Sequence, residues 1–430
     1  MTGPSQNHLK NTKAASLIDY IFWAALFVYL LVLPIANTIA LRYLGFIVLI
    51  GVSIAVLVEE RRQPKLPFAR CWLFYFLVGL FSVVFAVDPA ASFGELRVEI
   101  AYCAVIFMVG VTWGNRASAF EPFAILLASI NGILTLSAYY YAGISMSFNE
   151  LLRIPSFAYA GTDGNWLLVA IFLNFWLARR VWNRGHRALP LMLAGLMVLD
   201  VWAMMVTQNR QNLVALGAGI AVAAVLMLRM QFSWRRALIF LGLLSVVAAL
   251  VSVQMLRRGA IGIPQAKFGS PAAISVEQAK SVIGAATTVD DRWGLWKFSL
   301  QKIGEHPWIG GGMGRDVFDK LYPEYMPENS QLWHAHNMIL NKGIQMGIPG
   351  MVAFVALWAA LAMEMFRHAG STGPSRYLAV AGFAGLTAIF TKNMTDDFFV
   401  RNSALFFWLI AGLLTGFLQA EAVREPSREG

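Results

Sequence analysis

Ala237–Met255 reads ALIFLGLLSVVAALVSVQM, a run without Asp, Glu, Lys or Arg that is set between Arg235-Arg236 and Arg257-Arg258. At about 1.5 Å of rise per residue, a helix of this length nearly crosses the ~30 Å hydrocarbon layer of a bilayer. A helix is also what such a run must form there, because it satisfies its own backbone N–H and C=O groups where no water can. Eleven similar stretches flank it: Leu17–Asn37, Ala40–Val58, Cys71–Val87, Val98–Trp113, Phe120–Ala142, Trp166–Leu177, Ala188–Thr207, Asn212–Leu228, Ile348–Phe366, Tyr377–Lys392 and Ser403–Leu418. Trp166–Leu177 is short, and it spans only if Gly161–Asn165 and Arg179 also lie within the interface. The fold class expected is an all-α integral membrane protein with about 12 transmembrane helices.

Composition points the same way. With 58% hydrophobic and 13% charged residues and a mean hydropathy of +0.60, the chain cannot stay in water as one globule. Its net charge of +10 falls mostly on alternate connections, at Arg61, Arg62, Lys65, Arg70, Arg179, Arg180, Arg184, Arg187, Arg229, Arg235 and Arg236. That side, which also holds both ends of the chain, carries about 18 Lys and Arg against about 6 opposite, and is expected to be cytoplasmic. The charge is therefore a topological signal, and a nucleic-acid partner is not needed to account for it. No small-residue cleavage site follows the first apolar run after the polar start Met1–Ser16, so the first span reads as a signal anchor. Cys71 and Cys103 both lie within predicted spans, one near the cytoplasmic side, and read as packing residues rather than a disulfide.

Three parts follow: residues 1–256 with nine spans and short loops, a large outward loop over 257–337, and residues 338–430 with three spans and a cytoplasmic tail. Most other connections are a few residues long, so function is expected in the large loop. Its first part, Gly259–Ala286, is rich in Gly, Pro, Ser and Ala and reads as irregular, partly mobile chain. From Asp290 the pattern changes. Trp293, Trp296, Leu300 and Ile303 recur at spacings of three and four, which predicts an amphipathic helix with an acidic N-cap. Its tryptophans suit the headgroup layer, so it is expected to lie flat on the outer leaflet; packing against the roof of the bundle would produce the same period. A second outward segment, Gly143–Gly164, carries Arg153 and Asp163 and is expected beside the loop.

The loop ends in Trp333-His334-Ala335-His336-Asn337, and three of the six histidines, His306, His334 and His336, lie within it. Histidine exchanges a proton most readily near neutral pH. His336 reads equally as a general base or as a polar hydrogen-bonding residue at a helix start. His-x-His with His306 or Glu305 would make a metal site, but no metalloprotease or Cys-x-x-Cys spacing supports one, and neither metal nor cofactor is expected. Arg210, within Thr207-Gln208-Asn209-Arg210-Gln211, sits at the outer end of a span, where an arginine can snorkel or bind an anion. Arg292 opens the amphipathic helix, where a cation gains nothing from the helix dipole. Two guanidiniums and a histidine at one leaflet suit a lipid-linked pyrophosphate.

Gly310-Gly311-Gly312-Met313-Gly314 reads either as a flexible turn or as a backbone cradle for the same anion. Asp396 and Asp397, at the outer end of a span, could orient His336 or answer Arg210. Glu95, Arg97 and Glu99 read as interfacial ion pairs, and Asp200, inside a span, needs a polar partner.

Taken together, Asn209-Arg210, Arg292-Trp293-x-x-Trp296, His306-Pro307-Trp308-Ile309-Gly310-Gly311-Gly312, His336-Asn337 and Gly343–Gly350 resemble the O-antigen ligase family over most of the chain. The resemblance implies a multi-pass protein of the bacterial inner membrane with its site at the periplasmic face. It implies a metal-independent, inverting glycosyltransferase that moves a glycan from undecaprenyl pyrophosphate to the lipid A core oligosaccharide. Carried over by position, His336 would be the base, and Arg210 and Arg292 would hold the pyrophosphate. His334, Asn337, Arg153, Gln211 and Asp396 would support them; His336 is preferred to His334 because Asn337 follows it.

O-antigen polymerases and protein O-oligosaccharyltransferases are the related alternatives. The latter extend further past their last span than Glu421–Gly430 does here. A lipid or glycan transporter is the alternative of another class. An Arg-x10-Gly pattern attributed to the polymerases occurs at Arg153–Gly164 and Arg258–Gly269, as often as 36 glycines predict by chance.

Overall fold

The computed structural model describes residues 6–35, 37–145, 160–206, 210–230, 232–261, 288–314, 317–323, 334–371, 373, 375–395, 397, 399 and 401–424. Within these, the side chains of 6–16, 138, 140–145, 160–163, 206, 210, 254–261 and 288–291 lie outside the description. Among the described residues the chain forms fifteen α-helices, one π-helical turn and no strand. The helices are α1 (Gln6–Val32), α2 (Ile39–Glu59), α3 (Ala69–Val84), α4 (Pro89–Leu96), α5 (Tyr102–Arg116), α6 (Glu121–Ser145), α7 (Ala160–Asn183), α8 (Ala188–Val206), α9 (Arg210–Met230) and α10 (Trp234–Ile261). They continue as α11 (Thr288–Glu305), α12 (Val317–Leu321), α13 (Met338–Ala369), α14 (Arg376–Asn393) and α15 (Arg401–Arg424), and the π turn, Arg97–Ala101, joins α4 to α5.

Each of the twelve apolar stretches falls on a helix. Seven helical segments, Ile39–Glu59, Pro89–Arg116, Ala188–Met205, Gln211–Met230, Trp234–Val253, Met338–Ala369 and Arg401–Arg424, are long and apolar enough to cross a membrane. The described parts of α1 (Leu17–Val32) and α6 (Glu121–Ser137), and all of α3 (Ala69–Val84), are apolar as well. Among the described residues, length and composition identify seven of the twelve spans expected. α7 and α14 fall short because they carry Asn165, Asn174, Lys392 and Asn393, all buried against other helices rather than facing outward. α1 stops at Val32, two residues before Pro34, whose ring disfavours helix in the residue ahead of it.

The centre of the bundle is the pair α5 and α15. Gly110 and Gly114 face Gly412 and Gly416, and a Cβ on any of the four would run into the partner's backbone. Small residues four apart let two helices pack this closely in a membrane protein. Of the apolar window of α15, 83% of residues are buried inside the protein, against 11% for α10, so α15 is the axis and α10 the rim. Asp200 of α8 is buried, and its carboxylate accepts hydrogen bonds from Asn131 Nδ2 (2.9 and 3.1 Å) and Thr135 Oγ1 (3.1 Å) of α6, the polar partners expected for it. Cys71 and Cys103 are both free thiols.

A second, smaller core caps one end of the bundle. Leu295 and Ile303 of α11, Phe318 of α12, and Ala335, Leu340 and Ile344 at the start of α13 pack together there. α11 is helical as expected. Leu295, Ser299 and Ile303, four residues apart, point inward, while Trp293 and Leu300 are exposed. The helix begins at Thr288, so Asp290 and Asp291 belong to its first turn and do not cap it. Of Gly259–Ala286, residues 259–261 end α10 and the remainder lies outside the described residues.

Candidate functional site

The segment His334-Ala335-His336-Asn337 is held by hydrogen bonds to α11 and α13. Asn337 caps α13: its extended backbone lets Oδ1 accept from the N–H groups of Ile339 (3.0 Å) and Leu340 (3.1 Å), groups that otherwise lack a partner at a helix start. The Ala335 carbonyl accepts from Trp296 Nε1 of α11 (3.0 Å). The Ala335 N–H donates to Asn341 Oδ1 (3.0 Å), and Asn341 Nδ2 donates in turn to the carboxylate of Asp397. His336 sits between these anchors with φ of +47°, a left-handed conformation that costs a non-glycine residue energy and persists only when its neighbours enforce it. Both histidines are buried, with ring centroids 3.9 Å apart. Because Asn337 does the capping, His336 is not needed for it.

The same segment meets α9, α11 and the α14–α15 connection. Asn337 Nδ2 donates to the Met394 carbonyl (2.9 Å). The next carbonyl, Thr395, accepts from Arg292 Nη1 (2.7 Å) and from Gln211 Nε2 (3.1 Å). Gln211, Arg292 and Asn337, from three separate parts of the chain, thus converge on two consecutive peptide groups. Of the residues anticipated for the site, His334, His336, Asn337, Gln211 and Arg292 are brought together. Arg210 is the first residue of α9, next to Gln211, and its side chain lies outside the described residues, as do Arg153 and Asp396 altogether. His306 follows α11 and is exposed, and Glu305 is bonded to Lys302 (2.9 Å) and Gln301 (2.9 Å). Among the described residues no three His, Cys, Asp or Glu side chains group as metal ligands.

The glycine run is neither a flexible turn nor an anion cradle. Gly347 interrupts α13 with φ of +68°, and Pro349 has no N–H to offer Gln345, so the carbonyls of Ile344 and Gln345 lose their helical donors. Gly311 N donates to Ile344 O (2.9 Å), Gly312 N to Gln345 O (3.0 Å) and Ile348 N to Pro307 O (2.8 Å). Ser82 Oγ adds a second bond to Gln345 O (2.7 Å). Residues 307–314 are therefore a strap laid on the break, and a side chain at Gly310 would collide with the Gln345 backbone. Those two glycine N–H groups are already engaged.

Beneath the histidines lies a buried polar layer that the sequence reading missed. Lys342 Nζ donates to Glu99 Oε2 (2.5 Å) and Gln345 Oε1 (2.9 Å), both carboxylate and ammonium being almost fully buried. Glu99 sits in the π turn, an irregularity common at functional sites. It is thus an internal ion pair, not an interfacial one; Glu95 pairs instead with Arg401 (2.7 Å), and Arg97 lies over the Tyr102 ring at 5.8 Å. Asn393 Nδ2 donates to Asn165 Oδ1 (3.1 Å), and Lys392 is fully buried. The signal was present, since Asn337, Asn341 and Gln345 recur every four residues as one polar stripe on an apolar helix.

Two exposed carboxylates at the edge of this region are shifted. The Lys320 ammonium beside Asp88, with the Ala91 N–H, holds that carboxyl below the usual range, and Lys302 followed by Gln301 does the same for Glu305. The first pair ties α12 to the start of α4, and the second lies within the last turn of α11.

No curated protein matches the chain. Residues 195–355, which run from α8 through α9 to α12 and the two histidines into the middle of α13, match the family model described as O-antigen ligase, consistent with the resemblance carried by the sequence motifs.

Proposed function

We propose that this protein is an O-antigen ligase of the bacterial inner membrane, working at the periplasmic face without a metal or organic cofactor. Its donor is a glycan on undecaprenyl pyrophosphate and its acceptor the lipid A core oligosaccharide. In the reaction an acceptor hydroxyl oxygen forms a bond to the anomeric carbon while the bond from that carbon to the pyrophosphate breaks. The hydroxyl proton passes to His336, and undecaprenyl diphosphate departs. Arg292 and Arg210 hold the diphosphate and offset the charge that grows on it, because guanidinium forks pair with phosphate oxygens and stay protonated. A donor with so good a leaving group requires orientation, one base and anion stabilisation.

The observation that carries this reading is the meeting of Arg292, Gln211 and Asn337 on the Met394 and Thr395 carbonyls, next to His336. It sets a guanidinium and an imidazole at one end of an apolar bundle, where a lipid carrier would present its headgroup. Purified full-length protein given lipid-linked glycan and rough lipopolysaccharide should produce capped lipopolysaccharide. His336→Ala should abolish the product, and wild-type capping by that variant would end the proposal. Growth of the lipid-linked glycan without acceptor would instead identify a polymerase, and movement of lipid-linked glycan across vesicles without transfer a transporter.

A further inference from the structure

At the arginine-rich end of the bundle, α7 sorts its basic residues into two groups. Arg180 and Arg184 both pair with Glu121, at 2.8 and 2.7 Å. Arg179, in the same turn, has no carboxylate within ion-pair distance among the described residues; its guanidinium lies over the ring of Tyr377, 4.1 Å from the centroid. Arg376 approaches the same ring from α14, at 4.9 Å, and donates through Nη2 to the phenol oxygen (3.1 Å), again without a carboxylate partner among the described residues. Arg236 of α10 is close enough to bear electrostatically on that phenol. Arg376 is also the first residue of α14, whose N-cap Ser375 makes no side-chain cap bond.

Charge placed only to orient a protein in a membrane needs no fixed geometry. These guanidiniums come from three helices distant in sequence, and two lie over one aromatic ring. A guanidinium held over a ring keeps further edge N–H groups with which to pair with an oxyanion. The geometry points to a binding site for the phosphate-bearing headgroup of an acidic phospholipid, formed by Arg179 and Arg376 around Tyr377. The apolar helices on either side supply the surface on which its acyl chains would lie.

Native mass spectrometry of the full chain in detergent, titrated with phosphatidylglycerol, tests this. Wild type should retain the lipid in preference to phosphatidylcholine. The pair Arg179→Gln and Arg376→Gln should bind it roughly tenfold more weakly, while Arg229→Gln, which removes an exposed charge at the end of α9, should bind as wild type does. The milder pair Arg179→Lys and Arg376→Lys keeps both charges and the fold but loses the forks, and should also bind more weakly. Equal retention of phosphatidylcholine, undiminished binding by either double variant, or an equal loss in Arg229→Gln would overturn the assignment. So would inorganic phosphate competing as strongly as the lipid, which would assign the site to a soluble anion.

Discussion

His336 keeps its left-handed backbone because both neighbours are tied down, Ala335 by Trp296 and Asn341, and Asn337 by its cap and by Met394. Asn341 is in this sense a positioning residue, and Asp397 orients it. Asn341→Leu, similar in volume but without the amide, should lower kcat by about 100-fold through misplacement of the imidazole and leave KM for the lipid-linked donor little changed. Steady-state kinetics that show an unaltered kcat would remove Asn341 from this role. Arg292 donates from Nη1 to the Thr395 carbonyl, and the planar fork of its guanidinium cannot be reproduced by an ammonium. Arg292→Lys should therefore cost roughly 100-fold in transfer despite the retained charge; activity close to wild type would reduce the arginine to a structural tie. His336 and Arg292 were legible in the sequence as residue types in unusual places. Asn341 was not, because an asparagine on an apolar helix shows its partners only after folding.

The strap and the broken first turns of α13 depend on each other. Gly347 and Pro349 open the helix, and the carbonyls freed there receive N–H groups from residues 311 and 312. A glycine run beside a Gly-x-Pro reads as loop in sequence, since nothing local says that the two stretches complete one another's hydrogen bonds. The Glu99–Lys342 pair locks the π turn to the same region. Removing one partner of a buried ion pair leaves an uncompensated charge, so Lys342→Met should destabilise the protein by about 3–5 kcal/mol. Glu99→Leu in the same chain should restore much of that loss. Denaturation in detergent checks both, and a double variant no more stable than Lys342→Met alone would show that the pair is not the source. On α11 the three-and-four spacing marked the helix, while the packing of Leu295, Ser299 and Ile303 inward was set by the neighbouring elements.

The whole bundle turns on α5 and α15, whose four facing glycines bring their backbones into contact. Gly412→Val should force them apart and cost about 2–3 kcal/mol, seen as a lower unfolding temperature in detergent; an unchanged temperature would mean that the contact is dispensable. The helical class, the position of every apolar stretch on a helix and the residue types at the site follow from composition and period, since a backbone in hydrocarbon has almost no alternative to helix. How those helices stand to one another does not follow from local pattern. The convergence of Gln211, Arg292 and Asn337 on two carbonyls, the burial of Lys342 against Glu99 and the seating of the strap on α13 join residues far apart in the chain. Hydrogen bonds and charge pairs of that kind are specified by packing, so they emerge only when the elements are assembled.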